Sequence, residues 1–202
     1  MRKLILRAFN ISLDGVSAEY GSDYFNWCMT GIDPRVTEGS SPHLGADESL
    51  LDPTGELYRG ADALLMGRVS YQNMVTHFAP GGDQPDHPWT GIFNAARKVV
   101  FSRTLKTADW ANTTIADGDL AELVDQLRRG GDGHIMVYGG LTLWQSLIRL
   151  DLIDVFYLSV LPYVAGEGRR MFDDIGRYGP LDLMSSTVLP NGSLDLEYRR
   201  RR

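Results

Sequence analysis

Three stretches of this chain share one make-up, an apolar run that ends in a small or polar turn. They are Gly67-Arg68-Val69-Ser70 after 61–66, Ser102-Arg103-Thr104 closing 97–102, and Gly139-Gly140-Leu141-Thr142 after 135–138. Glycine lets the backbone approach a ligand closely, and a guanidinium fork matches a phosphate. In open α/β sheets ligands sit beyond the carboxyl ends of the strands, where helix N-termini offer free N–H groups to anions. Three such turns on one sheet would frame a dinucleotide. Each also has a plainer reading: Gly139-Gly140 packs a helix close to a sheet, and Arg68 and Arg103 are solvated charges. Their joint occurrence carries the functional reading.

The elements that must hold these turns follow from hydrophobic pattern. Residues 2–11 read as a first strand, closed by an Asp14-Gly15 turn. Residues 61–66, 97–102, 135–138 and 155–160 are short apolar runs with the look of buried strands. Leu120, Leu123, Val124 and Leu127 fall at i, i+3, i+4 and i+7 with Asp119 as N-cap, which predicts an amphipathic helix between Asp119 and Gly130. A further helix is expected over Leu141–Ile148. Strands alternating with helices imply crossovers and a mainly parallel sheet. The end differs, because 181–189 and 193–198 flank Pro190-Asn191-Gly192, the signature of an antiparallel hairpin. From Val16 to about Pro53 the chain reads as a long irregular stretch with aromatics at Tyr20, Tyr24, Phe25 and Trp27. Loops of that length are uncommon unless functional or disordered. One α/β domain over 1–202 accounts for the whole pattern.

Twenty basic against 26 acidic residues leave a net charge of −6, which gives no electrostatic reason to bind nucleic acid. The single cysteine, Cys28, excludes an intramolecular disulfide framework and a cysteine-based zinc cluster, and suits a reducing compartment. His43, His77, His87 and His134 show no metal-ligand spacing, so no metal is expected. Arg7 interrupts the apolar start of the chain, and no run reaches the roughly 18–20 apolar residues of a membrane span. A cytoplasmic protein without membrane contact is expected. The terminal run Arg199–Arg202 reads as a frayed, solvated end.

Met66-Gly67-Arg68-Val69-Ser70-Tyr71, Lys98-Val99-Val100-Phe101-Ser102-Arg103 and Ile135-Met136-Val137-Tyr138-Gly139-Gly140 resemble, in order and spacing, the three cofactor motifs of dihydrofolate reductases. Ser12-Leu13-Asp14-Gly15, the Ser102–Leu105 turn and Gly166-Glu167-Gly168-Arg169-Arg170-Met171-Phe172 are closer still to the stand-alone bacterial proteins related to the riboflavin-biosynthesis reductase domain. The resemblance implies a dihydrofolate-reductase-like mixed, mainly parallel sheet flanked by helices. It implies NADPH as cofactor, with Arg68 and Arg103 near the adenosine 2′-phosphate. Ser70 and the N–H groups of Gly140, Leu141, Thr142 and Leu143 would meet the diphosphate, and backbone around Asn10 and Ile11 would line the nicotinamide pocket. A cis peptide between Gly139 and Gly140 is implied too. The activity would be hydride transfer to a small planar heterocyclic or carbonyl substrate of pterin or pyrimidine type, in a homodimer.

The pattern departs from the family at the carboxylate that dihydrofolate reductases carry on the helix before the Met-Gly-Arg motif. Leu51 stands at that position, Asp52 is its neighbour, and Pro53 is expected to disturb a helix there. Asp52 is either a proton donor or a helix cap, Asp14 either a catalytic group or a turn former. Trp27 either stacks on a substrate ring or anchors its loop. No His-x-Glu with Pro-Cys-x-x-Cys signature is present, which excludes the bifunctional deaminase/reductase. The missing carboxylate leaves a second function open: an NADP(H)-binding protein of the same fold, without turnover, acting as a ligand-dependent interaction module.

Overall fold

The computed structural model of the chain describes residues 1–30 and 51–201. In chain order the elements are β1 (Leu4–Ser12), α1 (Asp23–Thr30), α2 (Leu51–Arg59), β2 (Ala61–Gly67), α3 (Arg68–Phe78), α4 (Thr90–Ala95) and β3 (Lys98–Phe101). There follow β4 (Thr113–Ala116), α5 (Leu120–Arg129), β5 (His134–Gly139), α6 (Leu141–Arg149), β6 (Val155–Leu161), β7 (Leu181–Val188) and β8 (Leu194–Arg200). The strands form one eight-stranded sheet in the order β4-β3-β2-β5-β1-β6-β8-β7. Six strands run parallel, and β8 and β7 close the sheet antiparallel. This is the mixed, mainly parallel sheet with a terminal hairpin that the strand and turn pattern predicts.

Two apolar layers cover the sheet. On one face Leu120, Val124 and Leu127 of α5 and Leu141, Leu147 and Ile148 of α6 pack on Leu4, Leu6, Leu65, Ile135 and Val137. On the other, Tyr58 of α2, Tyr71 and Met74 of α3 and Phe93 of α4 pack on Ile5, Leu64, Met66, Val100 and Met136. The alternation of Leu4 and Leu6 against Ile5 on β1 is the period of two that sends neighbouring side chains to opposite faces. α5 begins where expected, since Asp119 accepts from the N–H groups of Ala121 and Glu122 at 2.8 and 2.9 Å.

Four expectations need correction. The stretch from Val16 is not irregular throughout, because α1 occupies Asp23–Thr30. Ser22 caps it through Phe25 N–H at 3.0 Å, and Tyr24, Trp27 and Cys28 form its buried face at helical spacing. Pro53 does not break α2: it falls in the first turn, where its missing N–H had no intrahelical acceptor. Arg199 and Arg200 are not frayed but belong to β8, with Arg199 paired to Val155 and Arg200 ion-paired to Asp151 at 2.8 Å. Finally, no peptide among the described residues is cis, so Gly139–Gly140 is trans. The turn is made instead by Gly140 at φ 99°, a conformation that glycine adopts without a Cβ clash. No helix among the described residues is long and apolar enough to cross a membrane.

Candidate cofactor and substrate site

Sheet register brings the three turns together. Gly67 pairs with Phe101, and Met66 with Gly139, so Arg68, Ser102 and Gly140 follow the last paired residues of β2, β3 and β5, with β2 lying between the other two in the sheet. Neighbouring strands lie about 4.8 Å apart, which places turns far apart in sequence within roughly 10 Å.

Two helices start at this edge. Neither the Gly67 start of α3 nor the Gly140 start of α6 has a side-chain cap. The first bond inside α6 runs from Trp144 N–H to Gly140 O at 2.9 Å, so the N–H groups of Gly140, Leu141, Thr142 and Leu143 have no acceptor within the helix. Free N–H groups at a helix start, with the helix dipole behind them, attract anions. The helices converge: a Cβ built on Gly139 would lie 3.2 Å from Ser70 Oγ, and one on Gly140 3.4 Å from it. A side chain at either glycine would press on the Ser70 hydroxyl, which lies in the space between the two helix starts. Ser70 Oγ has no hydrogen-bond partner among the described residues.

Arg68 is exposed and donates to Gln72 Oε1 at 3.1 Å. Arg103 is exposed at the neighbouring turn. The Ser102 hydroxyl oxygen accepts from Thr104 N–H at 3.2 Å and Leu105 N–H at 3.0 Å, so this side chain shapes the turn that presents Arg103. A third guanidinium went unassigned in the sequence. Arg169 reaches the first turn of α6, donating to Thr142 Oγ1 and Gln145 Oε1, both at 3.3 Å, and to Glu19 Oε1 at 3.0 Å. Its place is fixed by Gly168, at φ 112°, where a Cβ would stand 2.7 Å from Val16 Cγ1. The Gly166–Phe172 motif signalled this segment, but only the tertiary fold brings it to α6.

Beside these helix starts the sheet divides. β1 pairs with β5 only through Leu4–Leu6 and Ile135–Val137, although β1 continues to Ser12 and β5 to Gly139. The register between β1 and β6 also shifts between Ala8 and Ile11. Phe9, Asn10 and Ile11 therefore form one lip of a cleft, and Tyr138 and Gly139 the other. Asn10 O accepts from Ala18 N–H at 3.1 Å, Ile11 is bridged to Ser17, and Asn10 Oδ1 is buried without a partner among the described residues.

Asp14 is a loop anchor. Its carboxylate accepts from Ser12 Oγ at 2.6 Å and from Ala165 and Gly166 N–H at 3.0 Å, with Arg170 at 3.7 Å. The Ser12 hydroxyl first, then the two N–H groups, hold its pKa at about 2, so it carries no proton to give at neutral pH. Trp27 is 8% exposed and packs on Tyr163 at 4.4 Å and Tyr24 at 6.2 Å, which makes it the anchor of α1 against the end of β6. Asp52 lies in the first turn of α2, and its side chain falls outside the described residues. No group of three or more His, Cys, Asp or Glu among the described residues could hold a metal ion.

The solved structure of a putative riboflavin biosynthesis protein from Shewanella sp. PV-4 matches all of this chain and all of its own at a TM-score of 0.70 and 20% identity. Dihydrofolate reductase from Enterococcus faecalis, solved with NADP(H), matches 99% of this chain and 97% of its own at 0.62 and 14%. The bifunctional deaminase/reductase of Thermotoga maritima matches at 0.61 and 14%, with 99% of this chain covering 57% of that one. These likenesses show a fold shared with reductases. In sequence, the Bacillus subtilis protein YyaP is 31% identical over 140 residues, 68% of this chain and 73% of its own. B. subtilis YwjB is 25% identical over 168 residues, 82% of this chain and 80% of its own. With residues 2–194 matching the family described as RibD C-terminal domain, the chain belongs to that family, and it has the fold of dihydrofolate reductase.

Proposed function

We propose that the chain is an NADPH-dependent reductase that delivers hydride to a small planar heterocyclic or carbonyl substrate. One observation carries the reading: the uncapped starts of α3 and α6 meet at Gly139-Gly140 with the Ser70 hydroxyl between them. In this reading the N–H groups of Gly140, Leu141, Thr142 and Leu143 and the Ser70 hydroxyl hold a diphosphate. Arg68 and Arg103 face a 2′-phosphate, where their forks favour NADPH over NADH. The Phe9–Ile11 and Tyr138–Gly139 lips flank the nicotinamide, which supplies the hydride when bound. The chain contributes orientation and exclusion of water rather than a reactive group of its own.

The test is loss of NADPH absorbance across a panel of carbonyl, pterin and pyrimidine compounds. Turnover of one of them supports the reading. NADP(H) binding without turnover is the second reading, favoured by the full commitment of Asp14 to its loop; tight binding with no oxidation across the panel would establish it. The partner best suited to the β7 edge, where Leu183, Met184 and Val188 are exposed, is a second copy of the chain. Sedimentation as a monomer at micromolar concentration would refute that dimer. A cytoplasmic setting suits the single, buried Cys28.

A further inference from the structure

Beside the cleft, on the face covered by α2, α3 and α4, lies a cluster of aromatic rings that the cofactor reading leaves unused. Tyr58 of α2 stands over the place where the sheet divides. Its ring is 6.4 Å from Phe9 on one lip, stacked at 18°, and 5.9 Å from Tyr138 on the other. Trp89 closes the group at 5.5 Å from Phe9 and 5.6 Å from Tyr58. Tyr58 is 1% exposed, yet its hydroxyl has no hydrogen-bond partner among the described residues, and the Trp89 indole nitrogen is likewise buried without one there. An unsatisfied buried polar group costs about 1–3 kcal/mol, and a pair in one cluster calls for an explanation. Tyr138 and His87 carry possible acceptors nearby, but neither takes a hydrogen bond from the Tyr58 hydroxyl or the Trp89 indole N–H.

We infer that Tyr58 and Trp89 are the substrate-recognition donors of this site, and that the substrate is a neutral, flat ring bearing a carbonyl or imine acceptor. The inference rests on the reductase reading for the position of the nicotinamide, and deepens it by naming the substrate's chemistry. An indole N–H can only donate, so Trp89 requires an acceptor from its ligand. Burial and the neighbouring Tyr138 push the Tyr58 phenol well above its usual range, which keeps it a protonated donor at neutral pH. A hydrogen bond from Tyr58 to the substrate's heteroatom polarises the adjoining carbon, the atom that accepts a hydride. Aromatic walls favour a flat ring through stacking. Among the described residues the cluster holds one cation, Arg7, over Phe9 at 4.6 Å, and it is paired to Asp195 at 2.8 Å rather than set aside for an anionic substrate.

The test compares isocarbostyril, a flat lactam, with naphthalene, two fused rings with neither the carbonyl nor a ring nitrogen, by calorimetric titration into NADPH-saturated protein. The wild type is expected to bind isocarbostyril more tightly. Tyr58→Phe keeps the ring and should weaken isocarbostyril by about 3- to 10-fold, the worth of one neutral hydrogen bond, while leaving naphthalene unchanged. Trp89→Phe carries the same expectation should Tyr58→Phe lack a cooperative melt. Equal weakening of both compounds, no weakening, or no isocarbostyril binding by the wild type overturns the inference. Carbonyl-dependent binding that survives without any NADPH-induced stabilisation would support this pocket while refuting the cofactor reading.

Discussion

Asp14 illustrates how a carboxylate beside a cleft can be structural. It accepts from one hydroxyl and two backbone N–H groups, and this set joins the end of β1 to the segment at Ala165–Gly166. Its pKa in the folded chain is about 2 against an ordinary 3.8. A depressed carboxyl pKa stabilises the fold above the unfolded value, and that contribution is lost as pH falls through the folded one. Asp14→Asn is therefore expected to flatten the loss of stability between pH 4 and pH 2, read from denaturant midpoints. An acid limb unchanged from the wild type would refute the assignment. Gly139 makes a sharper probe of the proposed anion site. Its φ is not positive, so Gly139→Ala brings no left-handed strain, only a Cβ 3.2 Å from Ser70 Oγ. The variant should fold with nearly wild-type stability and bind NADPH at least about tenfold more weakly, a loss of about 1.4 kcal/mol. Unaltered affinity would detach Ser70 and Gly139 from the cofactor. At this scale the sequence was informative wherever a residue's chemistry is local. Gly139, Gly140 and Ser70 stand out by type and position next to a strand end. Arg169 and Tyr58 do not, because nothing short of the folded chain brings Arg169 to Thr142 or lays Tyr58 between Phe9 and Tyr138.

Among the elements, β3 and α4 are tied by a lysine that no pattern would place inside. Lys98 is fully buried on β3, and Nζ donates to Phe93 O and Ala96 O at the end of α4, both at 2.8 Å, while lying 4.3 Å over the Trp110 ring. Two N–H groups suffice for the two carbonyls, so the amine keeps both bonds when neutral. Burial lowers its pKa to about 8 from 10.5. Between those values the folded chain binds fewer protons than the unfolded one, so this term grows more favourable as pH rises. The stability of the wild type relative to Lys98→Met should therefore increase from pH 8 to pH 10, measured as denaturant midpoints. A constant difference would contradict it. The strands and α5 were readable because branched apolar runs and the i, i+3, i+4, i+7 spacing report burial directly. α1 was hidden by its setting: Tyr24, Trp27 and Cys28 have helical spacing, but Gly, Ser and Asp around them read as loop. β4, Thr113-Thr114-Ile115-Ala116, is a short edge strand whose residues are only partly buried, and so leaves no apolar run to find.

For the whole molecule, the parallel core gathers every strand end that matters onto one edge. Uncapped N–H groups, the Ser70 hydroxyl and the exposed Arg68 and Arg103 then share that edge despite a net charge of −6 for the chain. On the proposed reading local donors outweigh net charge, because a diphosphate within hydrogen-bonding distance senses nearby dipoles and forks far more than charges beyond a Debye length of about 8 Å. The gathering of the three turns on one edge was legible in advance because it follows from strand-turn-helix order. The ring cluster beside them was not, since it is assembled from α2, the segment before α4 and two separated strand ends. Thermal denaturation of the wild type with NADPH and with NADH at equal concentration tests the central claim most directly. A ligand that binds only the folded state adds about 2.7 kcal/mol at a hundredfold excess over Kd. For a chain of this size that raises Tm by roughly 5–10 °C. The account expects this rise with NADPH and a clearly smaller one with NADH. No rise with either would contradict the cofactor site, and equal rises would contradict the role given to Arg68 and Arg103.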